Sequence, residues 1–470
     1  MRRATSATAA ATVAVALALA AAGCSGGGDN ADATRPTTAA DPPGGPVEVT
    51  VVNGDTLAPV PGATVVGLRS GQVVATQTSD AEGRVEVPLG TRLVTANASG
   101  FSGGSAGIAG AGPVQVEVYD PDIQSPEYGG GPDRDRYVPG VKAPLPTGTP
   151  AWSFESRTLI EFPPAVEDGL VVFGVNSGRV YGLRSDNGQL EWARRQKGEI
   201  ASSPAIAGDT VYVTSMDGML TAYGRGGTRR WQFPTGGSPV ESSPLVVDGK
   251  VYFGTWKGTL YAVDARTGKE VWTFQAAADI KGSAALAAGR IVVADYAGNV
   301  YALDPDSGAE RWRYTGGQRF YGGPAVSGDR LVIGDVGGAV IALDTATGRQ
   351  LWRHATSGYV YSTPAIARGT VFVGSYSGSF DALNLSDGSV KWSFDAGERI
   401  SGSATVVGDV VYTAVLARPG TPSRTYGLDT ATGKVLYTGD DGRYSPAVGA
   451  GVTLYLVGTR TIDAYREPTP

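Results

Sequence analysis

The sequence predicts an all-β protein: an eight-bladed β-propeller, closed by the first strand of its repeat region and preceded by a small β-sandwich. Glycine supplies 69 of 470 residues, about twice the usual share, as expected of many tight turns. Short apolar or alternating stretches are separated by turns that contain Gly and Asp. Tryptophan recurs about every 40 residues from Trp152 onward, and such a period indicates a propeller or a solenoid.

The composition excludes several classes of function. A net charge of −6 gives no basis for binding nucleic acid. The single Cys excludes an intrachain disulfide, a Cys-rich zinc site and a redox pair of cysteines. The single His excludes a multi-His metal site and leaves at most one imidazole for acid–base catalysis. We therefore expect neither a metal nor a cofactor.

The first 45 residues predict export and a lipid anchor. A basic start precedes an apolar stretch, 9–22, which has the length of a signal-peptide core and is too short to span a bilayer. Small residues precede Cys24 where cleavage is expected; an ordinary secretion signal with an incidental Cys is the alternative. The segment resembles a bacterial lipoprotein signal. That resemblance implies a signal peptide at 1–23 and a lipidated Cys24 on the outer face of the cell membrane, or in the periplasm where an outer membrane exists.

Residues 24–45 predict a flexible tether, because Gly, Asp, Thr and Pro dominate them and little in them can be buried. Residues 121–150 have a similar composition, with three consecutive glycines at 129–131 and seven prolines. They predict a Pro/Gly linker between two domains.

Residues 46–120 predict a small antiparallel β-sandwich. Val47–Val51 alternates like a half-buried strand, and further short β-rich stretches follow with the spacing of a sandwich: 64–68, 73–78, 84–87, 92–96 and 114–119. The amino-acid sequence at residues 61–65, 78–84 and 100–101 resembles that of a carboxypeptidase-regulatory-like (transthyretin-like) domain. The resemblance implies a non-catalytic accessory module. Asp80 and Glu82 are more typical of a hairpin turn than of a metal site.

Residues 151–466 carry the repeat. Each unit contains four short strands joined by Gly turns, which is typical of a propeller blade and not of a solenoid repeat. Seven complete units run from 157 to 440, an eighth has three strands, and the isolated strand around Trp152 completes it, so that no free sheet edge remains. The repeated tryptophans are Trp152, Trp192, Trp231, Trp272, Trp312, Trp352 and Trp392.

The repeated Trp and the Asp-x-x-Thr-Gly turns (264–268, 344–348 and 429–433) resemble the pyrroloquinoline-quinone-type (PQQ-like) propeller repeat. Within that family, the protein is similar to the propeller lipoproteins that assist outer-membrane barrel assembly. The resemblance implies that the tryptophans are structural and pack between blades. His354 takes a place that Phe or Tyr takes in other units, so we expect it to pack and not to catalyse.

One face of the predicted propeller varies in sequence and is the candidate binding surface. It holds the turns between the second and third strands and the starts of the first strands, whereas the opposite turns are uniform. Arg and aromatic residues are typical of interface hot spots, which favours a binding surface. The alternative is a solvated rim whose charged residues have no binding role. The candidates are Trp256, Tyr296, Tyr376, Arg319, Tyr321, Tyr359, Tyr361, Arg399, Arg443, Glu161, Glu199 and Glu241.

The favoured function is a non-enzymatic, lipid-anchored scaffold that binds protein partners through this face. The alternative is a sensor or binding module for a glycan or small ligand, using the aromatic tips. The family resemblance also implies a third function, a dehydrogenase with bound pyrroloquinoline quinone, calcium and often two adjacent cysteines. The single Cys and the absence of long insertions disfavour it.

Overall fold

The structure is a computed structural model that describes residues 45–138, 145–146, 148–416, 423–444 and 446–466. The regular structure there is β-strand apart from one 3₁₀ turn, Pro121–Ile123. Within these residues, no helix has the length and apolarity that a membrane span needs. The predicted signal peptide, Cys24 and nearly all of the tether lie outside the described residues.

Residues 47–118 form two sheets around one apolar core that includes Val49, Val65 and Val116. The sheets have the orders β4-β1-β7 and β3-β2-β5-β6. Two features differ from the predicted sandwich: β1 and β7 pair in parallel, and β6, which is short and Gly-rich, is an additional strand. The strands are β1 (Val47–Asn53), β2 (Thr64–Arg69), β3 (Gln72–Thr78), β4 (Arg84–Val87), β5 (Leu93–Asn97), β6 (Gly104–Gly107) and β7 (Val114–Val118).

The repeat region forms eight sheets, numbered here 1 to 8 in chain order. Apart from two strands added from earlier in the chain, Tyr137–Val138 and Trp152–Glu155, neighbouring strands in each sheet are consecutive in sequence and antiparallel. Sheet 1 contains β10 (Ala165–Glu167), β11 (Leu170–Gly174), β12 (Arg179–Arg184) and β13 (Leu190–Arg195), and sheet 2 contains β14 (Ala205–Ala207), β15 (Thr210–Ser215), β16 (Met219–Gly224) and β17 (Arg229–Pro234). Sheet 3 contains β18 (Leu245–Val247), β19 (Lys250–Gly254), β20 (Thr259–Asp264) and β21 (Glu270–Gln275), and sheet 4 contains β22 (Ala285–Ala287), β23 (Arg290–Ala294), β24 (Asn299–Leu303) and β25 (Glu310–Thr315).

Sheets 7 and 8 each gain a strand from earlier in the chain. In sheet 7, β8 (Tyr137–Val138) pairs in parallel with β34. In sheet 8, β9 (Trp152–Glu155) pairs with β40, so the first strand of the repeat region completes the last sheet. Sheets 5 to 8 otherwise contain β26 (Ala325–Ser327), β27 (Arg330–Gly334), β28 (Ala339–Asp344) and β29 (Gln350–Ala355); β30 (Ala365–Ala367), β31 (Thr370–Gly374), β32 (Ser379–Asn384) and β33 (Val390–Asp395); β34 (Thr405–Val407), β35 (Val410–Val415), β36 (Arg424–Asp429) and β37 (Val435–Gly439); β38 (Ala447–Ala450), β39 (Thr453–Val457) and β40 (Thr461–Arg466).

The repeated tryptophans join each sheet to the next. The Trp312 indole N–H, for example, donates to the Thr345 carbonyl in the following sheet at 3.1 Å. The six other repeated tryptophans donate in the same way to turns of the next sheet. His354 lies half-buried on the outer strand β29, opposite Val340.

The segment expected to be a plain linker is in part packed into the repeat region. Residues 124–138, here called the axial segment, contact the first strand of every sheet. Backbone N–H groups of seven first strands, at a spacing of 40 residues, donate to the segment at 2.7–3.3 Å, and Ser125 Oγ donates to the Gly449 carbonyl of sheet 8 at 2.6 Å. The segment therefore differs from a free linker, because its own polar groups satisfy those of the strands.

Candidate functional site

Backbone hydrogen bonds fix the face that varies in sequence. In seven sheets, the turn between the second and third strands donates an N–H to the loop that leads into the first strand of the same sheet. Trp256 donates to Pro239, Tyr376 to Tyr359, and the other five sheets follow the same pattern at 2.8–3.1 Å. The side chains of these turns and loops are therefore held together on one face.

A cavity of about 360 Å³ opens where the first strands meet on that face. Small groups line its inner wall: the Oγ1 of Thr363 and the Oγ of Ser403 each accept an N–H from the preceding sheet at 2.9–3.1 Å. Tyr128 of the axial segment contributes to the lining, with its hydroxyl 2.9 Å from Ser403 Oγ. The other lining residues are Glu161, Phe162, Glu241, Lys281, Gly282, Ser283, Tyr321, Gly322, Gly323, Tyr361, Tyr376, Ser401, Gly402, Leu416 and Tyr444.

One side of the cavity is an aromatic cage around the ammonium group of Lys281. Its Nζ lies 4.2 Å from the ring centroid of Trp256, 4.8 Å from that of Tyr296 and 5.5 Å from that of Tyr321. At these distances the ring faces attract a cation. The carboxylate of Glu241 holds two of the rings, because it accepts the Trp256 indole N–H at 3.1 Å and the Tyr321 hydroxyl at 2.7 Å.

A tyrosine cluster continues the lining from Tyr321. The ring centroids of Tyr321 and Tyr361 are 5.1 Å apart, and those of Tyr361 and Tyr376 are 4.6 Å apart. Tyr359 packs on both Tyr361 and Tyr376 and remains 55% exposed at the rim. The exposed guanidinium of Arg399 lies 6.0 Å from the Tyr376 centroid. An aromatic surface with one exposed edge is therefore available to a partner.

Three carboxylates give the cavity an acidic side. Burial, together with the negative charges of Glu241 and Glu199, raises the pKa of Glu161 from its ordinary 4.5 to about 7. Burial and the nearby Glu241 also raise the pKa of Tyr296, to about 12, and that of Tyr321. Among the described residues, no hydrogen bond or opposite charge offsets these effects on Glu161. Its charge is therefore balanced less well than that of Glu241.

The structure brings together most of the residues predicted for this face. Tyr321, Tyr361, Tyr376, Glu161 and Glu241 line the cavity, and the rings of Trp256, Tyr296 and Tyr359 pack directly against that lining. Arg319 and Arg399 lie beside the outer tyrosines, and the exposed Glu199 acts on Glu161 through its charge. Arg443 is not in the lining; its neighbour Tyr444 is.

The candidate set missed several lining residues. Lys281 stands in the same repeat register as Tyr321 and Tyr361, so the period could have identified it. Tyr128 carried no such signal, because it lies outside the repeat. Within the described residues, no three His, Cys, Asp or Glu side chains are grouped so as to hold a metal ion.

Comparisons with known proteins confirm a PQQ-like β-propeller. A family model described as outer membrane protein assembly factor BamB matches residues 135–296, 256–326 and 296–440, whereas no curated protein matches significantly. Among solved structures, BamB from Moraxella catarrhalis is 18% identical with a TM-score of 0.58, and the match covers 67% of this chain and 98% of that one.

Two further solved structures are similar at comparable identity. The quinohemoprotein alcohol dehydrogenase from Comamonas testosteroni is 15% identical with a TM-score of 0.61, covering 74% of this chain and 82% of that one. The computationally designed Ika8 protein is 16% identical with a TM-score of 0.60, covering 68% of this chain and 100% of that one. Such identities show the fold alone.

Proposed function

The chain belongs to the family described as outer membrane protein assembly factor BamB, and from this we propose that it is a non-enzymatic scaffold that binds protein partners. In this proposal the chain is an eight-bladed propeller with an N-terminal carboxypeptidase-regulatory-like sandwich. It is exported and held outside the cytoplasmic membrane by a lipid on Cys24. Its binding surface is the face around the axial cavity.

The observation that carries the proposal is the clustering of aromatic side chains on the cavity face. The cavity face concentrates Tyr359, Tyr361, Tyr376 and Trp256 in contact with one another or with charged groups. Such clusters of aromatic and Arg residues are typical of binding hot spots. The opposite face includes turns closed by their own side chains, as where Asp264 Oδ1 accepts the Thr267 N–H at 2.7 Å.

The cavity does not fit pyrroloquinoline quinone, the cofactor that the fold family implies. That quinone carries three carboxylates, and it would enter a cavity lined by Glu161 and Glu241 with Glu199 nearby. Lys281 is the one cation in the described lining, and three rings already surround it. Like charges in a partly buried site repel, so the residues present disfavour this ligand.

The tyrosine cluster also supports a second function, the binding of a glycan or small ligand, because sugars stack on exposed aromatic rings. A glycan array separates the two functions. A defined glycan bound by the pure protein and lost in Tyr361→Ala would favour the sensor, whereas a co-purified protein would favour the scaffold.

The test of the scaffold is affinity capture from native membranes with a triple variant, Trp256→Ala, Tyr359→Ala and Arg399→Ala. We expect wild-type protein to capture a defined partner and the variant to lose most of it. A matched control replaces exposed residues of the opposite face, Arg266→Ala and Thr347→Ala. Equal capture by the wild type and both variants would refute the proposed surface.

The lipid anchor needs its own test, because residues 1–44 lie outside the described structure. We expect wild-type protein to sediment with membranes and to incorporate labelled fatty acid. Cys24→Ser should do neither. Membrane retention of Cys24→Ser without fatty acid would contradict the anchor and leave the binding surface unaffected.

A further inference from the structure

The acidic side of the axial cavity has the composition of a site for an organic cation. The chain supplies one example itself, since the Lys281 ammonium lies within 5.5 Å of three ring centroids. Ring faces and a carboxylate together are the groups that stabilise a desolvated ammonium or guanidinium. This part of the cavity therefore already stabilises an alkylammonium group in a partly buried place.

The two carboxylates that line the cavity differ in their partners. Glu241 is engaged by Trp256 and Tyr321, whereas burial and the like charges of Glu241 and Glu199 act on Glu161 with no hydrogen bond or opposite charge from the described residues beside them. Tyr444 lines the same cavity as Glu161 and Tyr376, and burial together with the negative charge of Glu161 raises the pKa of its hydroxyl. A second cation beside Glu161 would thus meet a free carboxylate on one side and tyrosine rings on the other.

The charges around this place favour a cation over an anion. Glu199 and Glu241 both act on Glu161, and Lys281 faces the cage formed by Trp256 and Tyr296. Arg319 and Arg399 are exposed. The guanidinium carbon of Arg319 lies 6.0 Å from the ring centroid of Tyr296, and that of Arg399 lies 6.0 Å from the ring centroid of Tyr376. The cavity volume of about 360 Å³ lies within the range of small-ligand pockets.

We propose that the axial cavity binds a primary alkylammonium or guanidinium group between the Glu161 carboxylate and the rings of Tyr361, Tyr376 and Tyr444. The proposal rests on the proposed function, for which it names what the surface recognises: a basic side chain presented by a partner. A free amine carries the same chemistry, and the test distinguishes these two sources.

The test is calorimetric titration of the purified full-length protein in detergent with N-acetyl-lysine methylamide at pH 8. The neutral N-acetyl-norleucine methylamide has the same shape without the charge and is the ligand control. Glu161→Gln and Tyr361→Leu are the site variants, and Glu48→Gln, on the exposed face of β1, is the matched protein control. n-Butylamine replaces the lysine derivative in a second arm.

We expect the lysine derivative to bind about tenfold more tightly than the norleucine derivative. Glu161→Gln and Tyr361→Leu should each weaken binding by about tenfold, and Glu48→Gln should not. Wild-type binding should weaken by about tenfold or more on lowering the pH to 5.5, because Glu161 is then protonated. The groups that face Glu161 are Glu199, Glu241, Tyr321, Tyr444 and Lys281.

Equal affinity for the lysine and norleucine derivatives, or full affinity in the correctly folded Glu161→Gln variant, would overturn the cation site. Tighter binding of the lysine derivative than of n-butylamine identifies a peptide side chain as the source, and the reverse identifies a free amine. Capture of a partner through the rim residues without any cation binding would overturn this site and leave the proposed function intact.

Discussion

Single tryptophans hold neighbouring sheets together. Trp312 is 9% exposed, and besides its hydrogen bond to Thr345 its ring packs on Gly348, whose φ of +70° disfavours other residues. A Cβ at Gly348 would lie 2.5 Å from Trp312 Cε3. The indole and the glycine of the next turn thus fit one another as a pair, and this pairing recurs from sheet to sheet.

At the residue scale, we predict that Trp312→Ala lowers the free energy of unfolding by about 3–5 kcal/mol, because it removes a buried ring and a hydrogen bond and leaves a cavity. Trp256→Ala is the matched control, since that ring is half-buried at the rim; it should cost about 1 kcal/mol. Urea unfolding followed by circular dichroism measures both. Equal costs would mean that the repeated tryptophans are not the joints between sheets.

Glu161 gives the stability a pH dependence of known sign. Its pKa of about 7 in the folded protein lies above its ordinary 4.5, so the folded state holds a proton that the unfolded state loses between these values. Stability therefore falls as the pH rises from about 4.5 to 7, and the loss is complete above that range.

We predict that Glu161→Gln is more stable than wild type by about 1–3 kcal/mol at pH 8, and that the difference vanishes near pH 4.5. Thermal unfolding of both proteins across that range checks the sign. Glu48→Gln should show no such pattern. A Glu161→Gln variant that is less stable than wild type at pH 8 would show that the ionised carboxylate has a stabilising partner.

At the scale of the element, the axial segment ties the first strands of all eight sheets together. Arg134 is 0% exposed, and its guanidinium donates to the carbonyls of Pro244 at 2.9 Å, Ala284 at 3.0 Å and Tyr128, with Glu127 as ionic partner at 3.4 Å. Burial lowers the pKa of Arg134 and raises that of Glu127. A buried charge of this kind depends on its partner being present.

We predict that Arg134→Met destabilises the protein by about 3–5 kcal/mol, because Glu127 and three carbonyls lose their partner. The double variant Arg134→Met with Glu127→Gln should recover part of that loss. Arg266→Met, at an exposed turn, is the control. Chemical denaturation measures the stability of all three variants. An Arg134→Met protein as stable as the control would show that the axial segment does not stabilise the packing of the eight sheets.

The repeat could be predicted from the sequence because its signals are local. Each turn and strand lies within a few residues of the Gly, Asp or Trp that determines it, and the shared period placed Tyr321, Tyr361 and Glu241 on one face. The axial segment could not be predicted in this way. Arg134 finds its acceptors 110 and 150 residues away, and a composition rich in Pro and Gly is equally typical of a free linker.

The lining of the cavity was predictable only in part. Lys281 shares the register of its neighbours, but its position inside a cage of three rings depends on how adjacent sheets are inclined. Tyr128 reaches the cavity through the axial segment and lies outside the period altogether. Local pattern therefore identified the face, whereas long-range packing determined which side chains enclose the space.

At the scale of the whole molecule, the two faces differ in chemistry. One includes turns closed by their own side chains, as in Asp344 with Thr347, and it contacts the sandwich where Ser102 Oγ donates to Asp168 Oδ1 at 2.8 Å. The other carries the cavity, the tyrosine cluster and the exposed Tyr359 and Arg399. A binding scaffold needs one surface that recognises its partner, whereas the rest of its surface should not bind that partner. The central claim is therefore that contact with a partner is confined to the cavity face.

Site-specific photocrosslinking in cells of the native host tests that claim most directly. A benzophenone amino acid replaces Tyr359 or Arg399 on the cavity face, and Arg266 or Ala346 on the opposite face, all of them exposed. We predict a discrete crosslinked protein from the first two positions and none from the other two. Adducts confined to the opposite face, or equal adducts from all four positions, would contradict the claim.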